Sequence, residues 1–148
     1  QNHTLWHANL KKYKDKIEEQ IVESQKLLNK YLPDYKMTSL AMPFGIYPPY
    51  GYESKLIAGK HKGIEYKHNL VFDYSNRASF SPYDKEFDPI HVRRVQAFKD
   101  NIEKMIQKYS ESNDAYVSDG DINTLTIPKK LEDKLNPKYK EKWKVVSY

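Results

Sequence analysis

Apolar residues recur every three or four positions through the N-terminal part of the chain. This spacing predicts one amphipathic helix from Ala8 to Tyr31, with a buried apolar stripe. Pro33 disfavours helical geometry at the residue before it, so we expect the helix to stop at Leu32. The stripe consists of Leu10, Tyr13, Ile17, Ile21, Leu28 and Tyr31.

The middle of the chain alternates short apolar runs with segments rich in proline, glycine and tyrosine. Met37–Met42 has the size and composition of a buried strand, and the sequence Pro43-Phe44-Gly45 ends it. Further along we predict a loop over Ile46–Tyr52, a short helix over Glu53–Ala58, a strand over Ile64–Tyr74 and a long loop over Ser75–Pro89.

The C-terminal part continues the same alternation of helical and extended patterns. We predict a helix over Phe98–Tyr109, strands over Ala115–Val117 and Thr124–Ile127, a helical segment over Lys129–Leu135 and a last strand over Trp143–Tyr148. Helices that alternate with strands favour an α/β fold with a largely parallel sheet. At 148 residues the chain is expected to form a single domain over 1–148.

Composition limits the class of protein. Hydrophobic residues make up 39% of the chain and form no apolar run of about 18 residues, so we expect no membrane span. The absence of cysteine excludes disulfides and thiolate metal sites. Because the chain starts at Gln1 without a leader, we expect this N-terminus to be a boundary inside a longer protein.

The net charge of +5 raises the question of an anionic partner. The 25 basic residues are interleaved with 20 acidic ones, a pattern typical of a solvated surface. A basic surface for nucleic acid or for an anionic wall polymer is the alternative. No basic cluster carries the aromatic platform of single-strand binders, so we expect no nucleic-acid partner.

The strongest local signal is the pair of histidines in His3-Thr4-Leu5-Trp6-His7. Two histidines four apart on a helical turn have Cβ atoms about 5–6 Å apart, which lets them share one metal ion. Neutral imidazole suits zinc, cobalt, nickel or iron. On spacing alone, two ordinary histidines near a frayed terminus are the favoured interpretation.

The residues around this pair resemble the histidine motif, His-Ser/Thr-x-x-His, of the polysaccharide deacetylase family of carbohydrate esterases. The similar stretch is Asn2–Leu10, and a long helix, Tyr31–Tyr35 and Leu40–Gly45 follow in the order expected for that family. The stretches Ser81–Pro89 and Tyr116–Thr124 look like those of Bacillus-type deacetylase-like surface lipoproteins. The resemblance therefore covers nearly the whole chain, as the C-terminal portion of the family's domain.

This resemblance implies a fold, an activity and a place. The fold would be an incomplete, distorted (β/α) barrel that lacks its early strands, and a missing N-terminal piece or another copy would complete it. The activity would be metal-dependent hydrolysis of acetyl groups from N-acetylated sugars of a cell-wall or related polysaccharide. The location would be extracellular, at the surface or wall of a Gram-positive cell.

The resemblance also assigns metal ligands. His3 and His7 would bind a divalent metal, most often zinc. Thr4 would not bind the metal itself and would at most support the residues that do. The third ligand and the general base would be aspartates of a Thr-Phe-Asp-Asp motif, which would lie upstream of residue 1. We therefore expect this chain alone to be inactive.

Two family features are not found in the sequence. Ala41 stands where the family has an arginine that supports the base. The late Leu-x-His motif of the general acid is missing, because Leu5-Trp6-His7 overlaps the metal motif and His61, His68 and His91 have other contexts. These departures leave open a non-catalytic carbohydrate- or wall-binding module with a degraded deacetylase site.

Substrate contacts are expected at Pro43, Phe44, Gly45, Tyr47 and Asp73. Phe44 and Tyr47, with Tyr50 and Tyr52, would form a platform for sugar rings. Alternatively, Phe44 belongs to the core and the tyrosines cover a loop. Asp73 either lies near the substrate groove or only forms a turn after its strand.

A pair of arginines, Arg93 and Arg94, precedes the second predicted helix. These side chains either pair with carboxylates near the site, or remain solvated or help to cap the helix.

Overall fold

The computed structural model describes residues 1–112 and 117–148. The chain divides into two compact units, one made of Gln1–Ala78 and Asp88–Val95 and the other of Ser79–Phe87 and Gln96–Tyr148. The predicted strand Ala115–Val117 lies largely outside the described residues. Whether both units belong to one domain stays a prediction.

The first unit contains most of the regular structure of the N-terminal half. Its elements are a 3-10 helix at Lys14–Lys16, α1 (Ile17–Asn29), β1 (Ser39–Ala41), a 3-10 turn at Pro43–Gly45, α2 (Ser54–Ile57), β2 (Ala58–His61), β3 (Ile64–Lys67) and β4 (Leu70–Phe72).

Helix α1 is shorter than the periodic pattern predicts. The chain before it forms a turn in which Asn9 Oδ1 accepts hydrogen bonds from the backbone N–H groups of Lys11 and Lys12, at 3.1 and 3.2 Å. Asn9 therefore offers the backbone an alternative to helix hydrogen bonds. The predicted start at Ala8 is wrong for this reason, although the apolar stripe itself is buried in the core at Leu10, Ile17 and Ile21.

The centre of the first unit is a parallel arrangement of extended segments. β1 pairs with β4 in parallel, with Leu40 opposite Val71. Single parallel bridges add Asn2 beside Leu40 and Val92 beside Phe72. The core packed around this sheet consists of Ala8, Leu10, Ile17, Ile21, Leu40, Met42, Leu56 and Val71.

A hairpin takes the place of the long strand predicted over Ile64–Tyr74. β2 and β3 pair antiparallel, and the turn between them places Lys62 at φ 48° and Gly63 at φ 82°. Two residues with positive φ form the turn type that matches the twist of a hairpin. The single strand is therefore two strands, β3 and β4.

The second unit holds α3 (Lys99–Glu111), β5 (Thr124–Ile127), a 3-10 helix at Lys129–Lys134, α4 (Pro137–Lys140) and β6 (Lys144–Ser147). β5 and β6 pair in parallel, with Leu125 opposite Val145. Helix α3 and strand β5 confirm the predicted helix and strand in these regions. Helix α4 was not predicted; it begins after Asn136, whose side chain caps it by accepting a hydrogen bond from the Lys138 N–H.

The described residues confirm a mixed α/β architecture. Within 1–112 and 117–148 the sheets are small, each of two strands, and no closed barrel is formed. No helix in this part of the chain is both long and apolar enough to cross a bilayer. That these elements belong to an incomplete barrel of the deacetylase type stays a prediction.

Candidate functional site

Several of the site residues predicted from the sequence come directly after the parallel segments of the first unit. His3 comes directly after Asn2, Pro43–Gly45 come just after β1, and Asp73 comes directly after β4. Arg94 comes shortly after Val92. The carboxyl ends of parallel strands share one edge of a sheet, where α/β proteins bind their ligands. We describe this edge as the candidate site.

His3 and His7 lie together although they are not on a helix. Their ring centroids are 4.8 Å apart, with an interplanar angle of 61°, and both side chains are exposed. The predicted helical turn is wrong, because Thr4 and His7 adopt left-handed backbone conformations with φ of 64° and 58°. The segment folds back on itself, and this fold rather than helix spacing brings the two rings together.

Two buried polar residues hold this loop in place. The Asn2 side chain donates to the Ile21 carbonyl at 3.0 Å and accepts from the Thr4 N–H at 2.8 Å. Thr4 Oγ1 accepts from the Ala8 N–H at 2.9 Å, which closes the turn that contains His7. Thr4 thus acts on the imidazole pair through the backbone, in keeping with its expected place outside the ligand set.

The His3 ring is oriented by the adjacent strand. His3 Nδ1 lies 2.7 Å from the Ala41 carbonyl oxygen, so Nδ1 carries the proton of this hydrogen bond, and in a neutral imidazole Nε2 has the lone pair. Metal-binding histidines commonly use their second nitrogen in this way. The chemistry of the pair therefore fits a metal site to which this chain contributes two imidazoles.

The rest of a metal site is not formed by this part of the chain. Among residues 1–112 and 117–148, no group of three histidine, aspartate or glutamate side chains is close enough to hold a metal ion. Ala41 is buried at the position where the family resemblance calls for an arginine. The described residues therefore offer a cation two imidazole ligands and no third one.

Phe44 forms one wall beside the imidazole pair. Its ring centroid is 4.3 Å from that of His7, in an edge-to-face arrangement, and 58% of the residue is exposed. Phe44 is therefore not a core residue. It also has a left-handed backbone at φ 58°, between buried Pro43 and Gly45.

Tyr47 is held against the last parallel segment. Its hydroxyl donates to the Ile90 carbonyl at 2.7 Å, and its ring centroid is 4.4 Å from that of His91. Burial raises the pKa of the Tyr47 hydroxyl above its ordinary value, and the charge of Asp73 raises it further. Tyr47 is consequently a neutral hydrogen-bonding group at this edge.

The other tyrosines of the predicted platform are placed differently. Tyr50 is 97% exposed, whereas Tyr52 packs against the core and donates to Asp15 at 3.4 Å. The four aromatic residues of this segment therefore occupy different environments, and only Phe44 borders the imidazole pair.

Asp73 has an unsatisfied oxygen at the sheet edge. Its N–H donates to the Val92 carbonyl at 2.9 Å, while its Oδ1 is buried without a hydrogen-bond partner among the described residues. A buried carboxylate oxygen without a partner is costly and calls for a ligand or a water molecule. Whether Asp73 lines a substrate groove or only forms a turn after its strand stays a prediction.

Arg94 joins the ends of two strands. Its Nε donates to the Asp73 carbonyl at 3.0 Å and its Nη2 to the Met42 carbonyl at 3.4 Å. The sequence suggested carboxylate partners, solvent or a cap-related role for this side chain, whereas its hydrogen bonds here go to backbone carbonyls at two strand ends. The bridge between Val92 and Phe72 places Arg94 here, and this pairing has no local sequence signal.

His61 and His68 lie outside this edge, and their contacts are with other parts of the first unit. His68 is buried, and its Nδ1 lies 2.7 Å from the Leu56 carbonyl oxygen. His61 lies on the hairpin, with Nε2 3.9 Å from Glu23.

Comparison of the chain with protein-family models, with curated proteins and with solved structures finds no match.

Proposed function

We propose that this chain is the C-terminal part of a metal-dependent polysaccharide deacetylase of the cell surface or wall, acting on N-acetylated sugars. The observation that carries the proposal is the imidazole pair at the carboxyl edge of the parallel segments, with His3 oriented by the Ala41 carbonyl. The longer protein, which we call the parent, would supply the missing strands of the barrel.

In the proposed site, His3 and His7 hold a divalent cation, most often zinc. A bound zinc ion supplies Lewis acidity and activates a water molecule for attack on an acetyl group. Catalytic zinc sites use three protein ligands and leave a position open. The third ligand and the general base are aspartates of the parent, upstream of residue 1, or belong to another copy.

The chain's own residues would prepare this edge for a sugar. Phe44 offers an exposed ring next to His7, suited to the apolar face of a pyranose. Asp73, directly after β4 at the same edge, would offer its carboxylate as a hydrogen-bond acceptor for a hydroxyl group of the substrate. Arg94 fixes the strand ends that carry both residues.

The second candidate is a binding module that has lost catalysis. Ala41 in place of the supporting arginine favours it, as does the lack of a late Leu-x-His motif. In this case the edge with Phe44 and Asp73 would bind the polymer, and no acetate would be released.

Metal binding by the chain tests the imidazole pair directly. We expect the chain to bind Co²⁺ or Zn²⁺, as measured by equilibrium dialysis. The affinity should fall at least roughly tenfold in His3→Ala and in His7→Ala, since each variant lacks one of the two ligands. His61→Ala is the matched control and should leave binding unchanged. Zinc binding that persists when both His3 and His7 are replaced would contradict the assignment.

Acetate release then separates the two candidate functions. The assay compares this chain with a version extended upstream through the missing aspartates, on an N-acetylglucosamine oligomer. Release by the extended version alone, abolished by His3→Ala, is the outcome expected of the deacetylase. Binding of the polymer without release in the extended version would instead identify the binding module.

A further inference from the structure

The second unit contains a cluster of three aromatic side chains. The ring of Tyr83 is 5.1 Å from Tyr139 and 5.8 Å from Trp143, and Tyr139 is 5.6 Å from Trp143. The ammonium groups of Lys138 and Lys142 lie 4.7 and 4.3 Å from the centroids of Tyr139 and Trp143. These contacts fix the rings, although all three remain only half-buried.

Two of these rings border a cavity of about 360 Å³. This volume falls within the range of about 300–1,000 Å³ that small-molecule sites occupy. Tyr83 and Trp143 supply aromatic surface, and the remaining lining includes Leu125 and the polar residues Ser118, Asp121 and Thr124.

The polar groups of this cavity are held in fixed positions. Asp121 Oδ1 accepts from the Asn123 N–H at 2.8 Å, and Thr124 Oγ1 bonds to Asp119 at 2.6 Å. A carboxylate has two oxygens and several acceptor sites, so Asp121 retains capacity for a ligand hydroxyl. The cavity thus combines apolar ring surface with a prepositioned acceptor.

This combination selects one class of ligand. A pyranose ring presents apolar C–H groups on its faces and hydroxyl groups around its rim, so it matches aromatic surface and a carboxylate acceptor together. A wholly apolar ligand would make no use of the Asp121 carboxylate, whereas the hydroxyl groups of a sugar can donate hydrogen bonds to it. We propose that the cavity lined by Tyr83, Trp143 and Asp121 binds a sugar ring of an oligosaccharide.

This site is independent of the imidazole pair, because its lining belongs entirely to the second unit. It extends the proposed function by giving the chain a second contact with a polysaccharide.

The two tryptophans of the chain allow each site to be followed separately. In the Trp6→Phe variant, Trp143 is the only tryptophan, and we expect its fluorescence to change in a saturable way with a soluble tetramer of β-linked N-acetylglucosamine. Asp121→Asn, in the same background, should weaken binding roughly tenfold or more, because the lost partner is a charged acceptor. The amide oxygen of this variant still accepts from Asn123, so the loop is retained.

Asp133→Asn in the Trp6→Phe background is the matched control, because Asp133 is an exposed acid of the same unit outside the cavity lining. It should bind the tetramer as tightly as Trp6→Phe alone does. Replacing His3 and His7 by alanine should also leave binding at Trp143 unchanged, which separates this inference from the deacetylase proposal. A Trp143 signal that does not saturate overturns the inference. Equal affinities of the Asp121 and Asp133 variants also overturn it.

Discussion

Single residues decide how the candidate site is built, and Asn2 is the first of them. Its side chain bonds to α1 through the Ile21 carbonyl and to the histidine loop through the Thr4 N–H. The sequence identified the histidine pair by its spacing but not the loop that joins it. A threonine and a histidine with positive φ are uncommon, and hydrogen bonds from the Thr4 N–H to Asn2 and from the Ala8 N–H to Thr4 support that conformation.

His68 makes the stability of the first unit sensitive to acid. Burial lowers the pKa of His68 below its usual value of about 6.5, so the folded state binds its proton less readily than the unfolded state. The contribution of neutral His68 to the free energy of unfolding is therefore fully present above pH ~6.5. It is lost as the pH falls from there through the lower pKa of the folded state, by up to about 1.4 kcal/mol per pH unit. Urea unfolding between pH 7.5 and 5 measures this loss.

Two uncharged replacements serve as controls for this effect. His68→Phe and His68→Gln should both flatten the pH dependence relative to the original chain, whatever their stability at pH 7.5. A slope that stays the same in both variants would show that other groups cause the acid sensitivity.

At the scale of secondary-structure elements, local patterns predicted helices better than strand pairing. Helix α3 begins within one residue of its predicted start, because its apolar spacing and its flanking residues agree. The β2–β3 hairpin was missed although Gly63 offered a turn signal, since Lys62 is not a typical residue for positive φ. Pairing of β1 with β4 depends on long-range contacts that the sequence pattern does not encode.

The turn at Pro43–Gly45 should be sensitive to a single methyl group. Gly45 has φ 65°, and an added Cβ would overlap the Cβ of Tyr74. We expect Gly45→Ala to lower the free energy of unfolding by about 2–4 kcal/mol, from the left-handed backbone together with overpacking. Chemical denaturation measures the change.

Gly51 provides the matched comparison for this substitution. It also has positive φ, at 89°, but nothing lies within 4 Å of an added Cβ. Gly51→Ala should therefore cost only about 1–2 kcal/mol. Equal losses in the two variants would mean that the contact with Tyr74 contributes nothing.

At the scale of the whole molecule, the two units differ in how much apolar surface they bury. The buried core cluster lies in the first unit, whereas α3 of the second unit has no buried residue. The sequence predicted that helices alternate with strands, and the described residues confirm a mixed α/β architecture with small sheets. A barrel requires strand neighbours that composition and periodicity cannot specify.

Hydrogen exchange should reveal this inequality. Amides of β1, β4 and α1 are expected to exchange far more slowly than those of α3, because local opening is easiest where few apolar contacts are broken. Mass spectrometry of peptides from each unit, after timed labelling at neutral pH, measures the difference. Equal protection of α1 and α3 would contradict the unequal burial described for the two units.

The attachment of Asn2 to both the sheet and α1 has a practical consequence for handling the protein. Because residue 2 is fixed, any affinity tag joined ahead of Gln1 would emerge within two residues of His3. A polyhistidine tag at that end would offer competing imidazoles and distort every titration with cobalt or zinc. A tag placed after Tyr148, or one removed by a protease before assay, avoids this artefact.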